Sequence, residues 1–324
     1  MERMARIERT GGPEVIGWSD VVLAPPGPGE VRMRNTAVGL NFIDTYHRSG
    51  LYPVPLPSGL GGEAAGVVEA VGEGVSDFAV GDRVATFGPG LGAYATARNV
   101  PAKILFALPD DIDDETAAAA LLKGGTVEFL VERCARVEPG WTVLVHAAAG
   151  GVGQIAVRWL KAIGATVIAT VGHGDKAALA RSAGADHVLL SREDDIAARV
   201  REITGGAGVE VVLDGVGKAT WEASLASARR RGLVVSFGNA SGPVEGVALG
   251  ALARAGSLYV TRPTMFDYYV TPEERAAGSA RLFQMLRSGA VRVDVNQRFA
   301  LEDAAEAHRA LEAGRTTGST ILLP

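Results

Sequence analysis

The sequence predicts an α/β protein in which a β-rich N-terminal part is followed by a doubly wound parallel sheet. In residues 1–120, short strand-like segments are separated by turns rich in Gly and Pro, which is typical of an all-β arrangement. From residue 113 onward, helical patterns alternate with continuous apolar segments, as expected for parallel strands covered on both faces. A glycine-rich turn joins the first of these strands to a helix, as in βαβ units that bind dinucleotides.

Length and composition fit a globular protein of about two domains. The chain has 324 residues, of which 47% are hydrophobic and 21% charged, so enough apolar surface is available to offset the ordering entropy of folding. The net charge of −5 provides no overall positive field for nucleic acid or an anionic membrane. The single cysteine, Cys134, cannot form an intrachain disulfide, and the N-terminus lacks the apolar segment of a signal peptide. We therefore expect a cytoplasmic protein.

The N-terminal part is predicted to form a barrel-like set of strands. Turn clusters at residues 25–30 and 80–84 separate the apolar segments. The predicted strands are residues 31–39, 64–71, 83–87 and 93–97.

The second part is predicted to alternate strands and helices. After helices at residues 113–122 and 126–136, the predicted strands are 142–146, 166–171, 187–190, 209–214, 233–238 and 258–261. The intervening helices are 154–163, 175–182, 194–204 and 220–229. Thr271, Pro272 and Glu274 predict a capping box at the start of another helix. The last sixty or so residues add a closing strand at 319–323 and are predicted to pack back on the first domain.

The strongest local signal is the glycine-rich turn that follows strand 142–146. Ala148 replaces the first glycine of the dinucleotide-binding fingerprint, while Gly150 would let the backbone approach the phosphates and Gly153 would let helix and strand pack closely. A strand-to-helix turn with no ligand is the alternative, but the turn lies within a full set of βα units. We expect a pyrophosphate to bind at the helix N-terminus. The residues assigned to this contact are Ala149, Gly150, Gly151, Val152 and Gly153.

The second strand of the set predicts NADP(H) as the cofactor. An acidic residue at its end would bind the ribose hydroxyls of NAD, but Gly172 lies there. Lys176 and Arg192 supply cations for a 2′-phosphate, and charge-assisted contacts of roughly 1.5–3 kcal/mol each would favour NADP by one to two orders of magnitude. The alternative is that both cations are solvated surface residues, and Asp175 weakens the argument. Further strand ends, at residues 214–217 and 237–239, fall at the carboxyl edge of the sheet and are expected to flank the nicotinamide, with Val216 between two glycines. The alternative is that Gly215, Gly217 and Gly238 are only turn residues.

Several separated motifs resemble one known family. Residues 38–53, 59–66, 81–84, 147–153, 233–242 and 256–263 are together similar to the medium-chain dehydrogenase/reductase superfamily, in its NADPH:quinone oxidoreductase branch, which includes zeta-crystallin. The resemblance covers essentially the whole chain. It implies a GroES-like β-barrel catalytic domain from residues 1–124, completed by 266–324, and a Rossmann NADP-binding domain from 125–265. It also implies a homodimer that associates through the Rossmann domain.

Zinc-dependent members of the superfamily differ at three positions. Where they carry ligands, this chain has Asn41, Gly62 and Leu122. With no thiolate or imidazole at these positions, a Lewis-acid zinc is not expected. The resemblance therefore implies metal-free hydride transfer, with Asp44 and Glu63 in structural roles.

Hydride transfer requires hydrogen-bond donors at the acceptor oxygen, where negative charge grows. In this family a loop would present Asn41, Tyr46 and Tyr52 as donors, and Lys123 is a candidate cation at the domain junction. Tyr46 is equally well explained as a core aromatic residue. The resemblance also implies cofactor contacts for residues beyond the glycine turn, namely Asn41, Lys176, Phe237, Gly238, Asn239, Arg262 and Arg315.

Two departures from the family pattern bear on the cofactor. Ser191 lies where the family often has Tyr, and Arg315 is displaced by one residue. Ser191 either contacts the cofactor or caps the following helix with Asp194.

The sequence as a whole favours an NADPH-dependent, flavin-free reductase whose small-molecule substrate is a quinone. One alternative acceptor is an α,β-unsaturated carbonyl or an enoyl thioester. An alternative of another class is an NADPH-binding protein with a crystallin-like or RNA-binding role and little turnover. The acidic net charge and the lack of a basic aromatic stripe disfavour the RNA-binding version.

Overall fold

The structure, a computed structural model, describes residues 1–88 and 90–324 and divides the chain into two compact units. Unit 1 comprises Met1–Leu122, Thr271–Ser279 and Val293–Pro324, and unit 2 comprises Lys123–Val270 and Ala280–Arg292. The fold class is α/β, as predicted. Within the described residues, no helix has the length and apolar character needed to cross a membrane.

Unit 1 is built on two sheets. Its strands are β1 (Glu2–Ile7), β2 (Gly17–Val21), β3 (Glu30–Leu40), β4 (Ser58–Gly59), β5 (Glu63–Val71), β6 (Arg83–Thr86), β7 (Ala97–Pro101) and β8 (Leu105–Ala107), joined later in the chain by Val295–Ala300 and Ser319–Leu323. The small sheet has the order β2-β1-β4. In the large sheet the predicted closing strand, Ser319–Leu323, pairs with β3 and with Val295–Ala300, while β3 also pairs with β5 and β7.

The predicted strand at residues 93–97 is wrong, because β7 begins only at Ala97. Residues 93–95 instead form a buried loop. This loop joins β1 through a single bridge between Met4 and Ala95, with the Ala5 amide donating to the Tyr94 carbonyl at 2.8 Å. The Asn35 side chain donates to the carbonyls of Ala93 and Ala95 at 2.9 and 2.8 Å. Strands β1 and β2 have no counterpart in the sequence prediction.

The helices of unit 1 include the segment that carries the predicted catalytic residues. Helix α1 (Phe42–Ser49) replaces the expected loop. Two later helices, α2 (Asp114–Glu128) and Pro272–Arg287, contribute residues to both units, and Ala304–Glu312 lies wholly in unit 1. The unit 1 core includes Val31, Met33 and Tyr94, with Leu301 and Ala304 added from the C-terminal segment.

Unit 2 is a doubly wound parallel sheet, as predicted. Its strands are β9 (Thr142–Val145), β10 (Thr166–Val171), β11 (His187–Leu190), β12 (Val209–Asp214), β13 (Ala228–Ser236) and β14 (Tyr259–Thr261), in the order β11-β10-β9-β12-β13-β14. Helices α3 (Gly151–Ile163), α4 (Ala177–Ser182), α5 (Ile196–Ile203), α6 (Trp221–Ser227) and α7 (Leu249–Arg254) connect the strands. The strand order reverses between β9 and β12, so the glycine turn that follows β9 lies at the position where such sheets bind ligands.

The two helices predicted at 113–122 and 126–136 are one continuous run. Helix α2 extends through Gly124 and Gly125 and passes directly into a π-helical segment, Phe129–Cys134. A Cβ atom on Gly124 would lie 2.4 Å from Leu282 Cδ1, and one on Gly125 would lie 2.4 Å from Met265 Cε. These glycines therefore permit close packing within a helix and do not end it.

The remaining elements complete the numbering as α8 (Pro272–Arg287), β15 (Val295–Ala300), α9 (Ala304–Glu312) and β16 (Ser319–Leu323). The capping box predicted at the start of α8 is confirmed. The Glu274 amide donates to Thr271 Oγ1 at 3.2 Å, and the Thr271 amide donates to Glu274 Oε2 at 3.0 Å.

Candidate functional site

The turn between β9 and α3 combines a strained residue with close packing. Ala147 has φ of +52°, a conformation that costs a non-glycine residue about 1–2 kcal/mol. The Ala148 amide donates to the Thr170 carbonyl at 2.9 Å, which ties the turn to β10. A Cβ atom on Gly153 would lie 2.4 Å from the Ala147 carbonyl oxygen. Only glycine lets α3 approach the turn this closely.

The first turn of α3 can hold an anionic group. Gly150 is its N-cap, and the amides of Gly151, Val152 and Gly153 begin the helix, where N–H groups have no intrahelical acceptor. These amides and the helix dipole favour a phosphate at this position. Ala149 is buried beside them, and its carbonyl accepts a hydrogen bond from Gln154 Nε2 at 2.9 Å. The turn thus fits a pyrophosphate.

The end of β10 is open and carries no carboxylate on the strand itself. A Cβ atom on Gly172 would meet no atom within 4 Å, and Lys176 ends the 3₁₀ turn Gly174–Lys176 that follows. Ser191 and Arg192 are exposed after β11. The alternative role of Ser191 as a helix cap is wrong, because Asp195 is the N-cap of α5 and accepts from the Ala198 amide at 3.1 Å.

The ends of β12 and β13 lie against each other at the same edge of the sheet. A Cβ atom on Gly215 would lie 2.8 Å from Phe237 Cζ, and one on Gly238 would lie 2.2 Å from the Gly215 carbonyl oxygen. Arg262 Nη1 donates to the Ser236 and Gly238 carbonyls at 2.8 and 3.2 Å. Asn239 follows Gly238 and is half-buried. The structure therefore brings these predicted residues together, with Val216 on the neighbouring turn.

A buried hydrogen-bond chain beneath this edge escaped the sequence analysis. His146 Nδ1 lies 3.0 Å from Thr170 Oγ1, and His146 Nε2 lies 3.1 Å from Ser224 Oγ. Ser224 Oγ donates to Asp214 Oδ2 at 2.7 Å. Since Ser224 has a single hydroxyl proton, His146 Nε2 must donate to Ser224. Burial lowers the pKa of His146, in agreement with a neutral ring. The chain joins the ends of β9, β10 and β12.

Asp214 also fixes the loop that follows β12. Its Oδ1 atom accepts hydrogen bonds from the amides of Val216 and Gly217 at 2.9 and 3.0 Å, and from the Thr220 hydroxyl at 2.8 Å. The carboxylate is buried and is satisfied almost entirely by donors from its own loop and from α6. Asp214 ends the fourth strand of the parallel sheet in chain order, whereas an acid that binds ribose would lie at the end of the second strand.

In unit 1, two buried carboxylates hold the start of α1. Asn41 is the N-cap, and its amide donates to Asp44 Oδ2 at 2.9 Å. Asn41 Nδ2 donates to Glu63 Oε2 at 2.7 Å, and Glu63 Oε1 accepts from the Leu122 amide at 2.6 Å. A Cβ atom on Gly39 would lie 2.2 Å from Glu63 Oε2, so glycine makes room for this carboxylate. Asp44 and Glu63 thus orient Asn41.

The predicted tyrosines lie together beside Asn41 in the sequence and form an aromatic pair. Tyr46 is buried and meets Tyr52 edge-on, with ring centroids 5.1 Å apart. The Tyr52 amide donates to the Tyr46 carbonyl at 3.1 Å. Phe42 and His47 flank the pair at 6.1 Å each, and burial lowers the pKa of His47. The hydroxyl groups of both tyrosines are carried on one short segment of the chain.

Lys123 and Arg315 are the other two predicted residues, and neither belongs to the segment that carries Asn41, Tyr46 and Tyr52. Lys123 is a buried residue of α2 in unit 2. Arg315 is exposed in unit 1, and its Nη2 atom donates to Glu306 at 3.3 Å. Among the described residues, no group of three or more His, Cys, Asp or Glu side chains has the geometry of a metal site.

Comparison with known proteins gives two family models and several full-length relatives. Residues 27–110 match the alcohol dehydrogenase GroES-like domain, and residues 151–282 match the zinc-binding dehydrogenase family. A quinone oxidoreductase from Pseudomonas aeruginosa is 53% identical, with 100% of each chain covered. A 2-haloacrylate reductase from Burkholderia sp is 45% identical, with 100% of this chain and 99% of the relative covered.

A solved structure of a related protein has the same fold as this chain. The crystal structure of Escherichia coli quinone oxidoreductase complexed with NADPH matches with a TM-score of 0.97 at 49% identity, covering 99% of this chain and 100% of the other. The predicted resemblance is confirmed: the chain belongs to the medium-chain dehydrogenase/reductase superfamily, in the branch that contains the quinone oxidoreductases.

Proposed function

We propose that this protein reduces quinones with NADPH, without a metal ion or a flavin. The observation that carries the proposal is the glycine turn at the switch point of the parallel sheet, whose unpaired first-turn amides fit a dinucleotide pyrophosphate. Full-length relatives named quinone oxidoreductase support the choice of acceptor. The name of the zinc-binding family model does not extend to a zinc site here, since Asn41, Gly62 and Leu122 provide neither thiolate nor imidazole.

The cofactor-binding residues of this proposal come mainly from the carboxyl edge of the unit 2 sheet. Gly150, Gly151 and Gly153 hold the pyrophosphate through main-chain amides, with Ala149 and Val152 completing the turn. Lys176 and Arg192 bind the 2′-phosphate near Gly172 and Ser191. The remaining contacts are assigned to Asn41, Gly215, Val216, Phe237, Gly238, Asn239, Arg262 and Arg315. When bound, the reduced nicotinamide supplies two electrons and a proton as hydride.

The catalytic role of the chain is to orient the acceptor and to stabilise the charge that grows on its oxygen. Asn41 uses one amide hydrogen on Glu63, and its second amide hydrogen serves as a donor to the acceptor. The Tyr46 and Tyr52 hydroxyls are the other proposed donors, and Lys123 is the proposed cation. Because Asp44 and Glu63 hold Asn41 from two sides, this donor does not reorganise during the reaction.

We further assign the domains and the assembly. The proposed catalytic domain is residues 1–124 with 266–324, and the proposed NADP-binding domain is residues 125–265. The two compact units differ from this division chiefly in that Ala280–Arg292 belongs to unit 2. A cytoplasmic homodimer that pairs through the NADP-binding domain is supported by β14, because it is an edge strand of the sheet and Tyr259 on it is 63% exposed. The net charge of −5 argues against nucleic acid or an anionic membrane as a partner.

A second candidate acceptor is an α,β-unsaturated carbonyl compound. The relative named 2-haloacrylate reductase, 45% identical over the whole chain, favours this class. The same donors would serve it, because reduction of a conjugated carbonyl also places negative charge on an oxygen.

Steady-state oxidation of NADPH with a panel of quinones, enones and enoyl thioesters tests the function. We expect saturable turnover with quinones, weaker turnover with enones, and a preference for NADPH over NADH of at least about tenfold in kcat/KM, from one charge-assisted contact. Binding of NADPH without turnover of any acceptor would instead support a crystallin-like role. Equal affinities for NADPH and NADH would remove Lys176 from the 2′-phosphate site.

A further inference from the structure

A chain of buried polar side chains crosses unit 1 from α9 to the start of α1. Arg48, Tyr94 and His308 are each no more than 2% exposed. Arg48 Nη1 lies 3.1 Å from His308 Nδ1, His308 Nε2 lies 2.9 Å from Tyr94 Oη, and Tyr94 Oη lies 3.0 Å from Asp44 Oδ2. At the outer end, Arg48 binds both carboxylate oxygens of Glu312 at 2.9 and 2.5 Å. The chain thus joins a partly exposed acid to a fully buried one.

The chemistry of the two ends fixes the direction of every hydrogen bond between them. A guanidinium only donates, so Arg48 donates to His308 Nδ1, which carries no proton. A carboxylate only accepts, so the single hydroxyl proton of Tyr94 goes to Asp44. Tyr94 Oη must then accept from His308 Nε2–H. His308 is therefore a neutral ring with its proton on Nε2.

The surroundings of His308 hold it in this state. Burial and the neighbouring Arg48 guanidinium lower the pKa of His308 to about 3. Burial and the nearby Asp44 carboxylate raise the pKa of Tyr94 well above its usual range. The charged and titratable groups that face His308 are Arg48, with its partner Glu312, on one side and Tyr94, with its partner Asp44, on the other. Each proton in the chain thus has one position.

The inner end of the chain reaches a residue of the proposed catalytic segment. Asp44 Oδ2, the atom that accepts from Tyr94, also accepts from the amide of Asn41 at 2.9 Å. Tyr94 is itself held against Gly61, where a Cβ atom would lie 2.2 Å from Tyr94 Cδ1 and φ is +80°. Any shift of Tyr94 therefore reaches the oxygen that anchors Asn41.

We infer that Tyr94 and His308 are positioning residues for the reaction: they hold Asp44 so that the start of α1 presents Asn41 in one orientation. The inference rests on the proposed function, because Asn41 is a catalytic residue only within it. Both residues act through Asp44.

Substitution of either residue leaves defined partners unsatisfied. Tyr94→Phe removes the donor to Asp44 and leaves His308 Nε2–H without its acceptor. His308→Leu removes the acceptor of one Arg48 hydrogen and the donor to Tyr94. His308→Gln supplies both a donor and an acceptor and should restore part of the chain. Loss of one or two such bonds should lower kcat about threefold to tenfold.

The test combines kinetics with NMR on the full-length protein. We expect kcat for a quinone to fall in the order wild type, His308→Gln, His308→Leu, with Tyr94→Phe similarly low. The KM for NADPH should change much less than kcat, because Asn41 is one of many residues assigned to the cofactor. His187→Leu and His187→Gln are the matched controls, since His187 is an exposed histidine at the start of β11 with no assigned role in the site or the dimer, and both variants should retain wild-type kcat. Nitrogen-15 spectra of the His308 ring should show a proton on Nε2 only, with no titration between about pH 5 and 8.

The outcomes separate this inference from the proposed function. A His308 ring that carries its proton on Nδ1, or that titrates near neutral pH, would overturn the inference even in an active enzyme. Wild-type kcat in both Tyr94→Phe and His308→Leu would also overturn it. If the wild-type protein shows no turnover, the proposed function fails, while the His308 tautomer and a shift of the Asn41 amide resonances in Tyr94→Phe still test the positioning. His308→Gln and Tyr94→Phe keep the test possible if His308→Leu does not fold.

Discussion

At the scale of single residues, Tyr52 provides the most direct test of the proposed catalytic site. Its ring is held edge-on to Tyr46 and its amide is bonded to the Tyr46 carbonyl, so Tyr52→Phe should keep the packing and remove only the hydroxyl. If that hydroxyl stabilises charge on the acceptor oxygen, kcat should fall about tenfold to a hundredfold, as for loss of a hydrogen bond to a charged group. The dissociation constant of NADPH, measured by fluorescence titration, should change much less.

The same substitution at an exposed tyrosine is the control. Tyr259 is 63% exposed on β14, the strand assigned to the dimer, and lies outside the proposed catalytic residues. Tyr259→Phe should leave kcat unchanged while the protein stays dimeric, which size-exclusion chromatography checks. An unchanged kcat in Tyr52→Phe as well would exclude its hydroxyl from the reaction. A matching fall in NADPH affinity would place it in the cofactor site.

Which site residues could be predicted depended on how far apart they lie in the sequence. Asn41, Tyr46 and Tyr52 belong to one short motif, so the sequence presents them together. Tyr94 and His308 are separated by 214 positions, and neither lies in a recognisable motif. Their contact depends on α9 packing into unit 1, which no local pattern specifies. His146 was missed for the same reason, because its partners lie on β10 and α6.

At the scale of elements, the β9–turn–α3 unit depends on the absence of one side chain. Gly153→Ala would place a methyl group 2.4 Å from the Ala147 carbonyl oxygen and 2.6 Å from Ala148 Cα, both of which belong to the backbone. We expect a loss of about 1–3 kcal/mol in the free energy of unfolding, as for other overpacked sites. NADPH affinity should also fall, because α3 would move away from the turn. Denaturant unfolding with and without NADPH measures both effects.

Gly172→Ala is the control for this substitution. A Cβ atom there meets nothing within 4 Å, so the free energy of unfolding should stay within about 0.5 kcal/mol of the wild type. If Gly153→Ala is equally harmless, the close approach of α3 to the turn is not a constraint on the fold.

Elements were predictable where a single physical signal determines them. The strands of the parallel sheet are buried on both faces, so β10, β11 and β12 were predicted with their observed bounds. The break in α2 was predicted wrongly, because Gly124 and Gly125 are also what a helix end requires. Their actual role depends on Leu282 and Met265, which are distant in the sequence. The strand predicted at residues 93–97 failed for a related reason. The segment makes only one bridge to β1, and the Asn35 side chain, distant in the sequence, binds the carbonyls of Ala93 and Ala95.

At the scale of the whole molecule, each unit has a buried, neutral histidine at the centre of a hydrogen-bond chain. His146 joins three strands of unit 2, and His308 joins α9 to α1 and to Tyr94 in unit 1. In both cases burial lowers the pKa of the ring. The folded protein therefore binds fewer protons than the unfolded chain below the ordinary histidine pKa, and acid should destabilise both units in the same direction.

The lowered pKa of His308 predicts how the stability of unit 1 depends on pH. The unfolded His308 titrates near pH 6.5, whereas the folded pKa is about 3, so its contribution is fully present above about pH 6.5 and is lost progressively as the pH falls toward 3. Where the unfolded chain binds one proton more than the folded protein, the free energy of unfolding falls by about 1.4 kcal/mol for each pH unit of acidification. Between pH 7 and about 4, the wild type should therefore lose more stability than His308→Gln, which has no titrating ring at this position. Denaturant unfolding followed by pulsed hydrogen-exchange labelling of unit 1 peptides measures the difference. Parallel pH curves for the two proteins would show that His308 is not held neutral in the folded state.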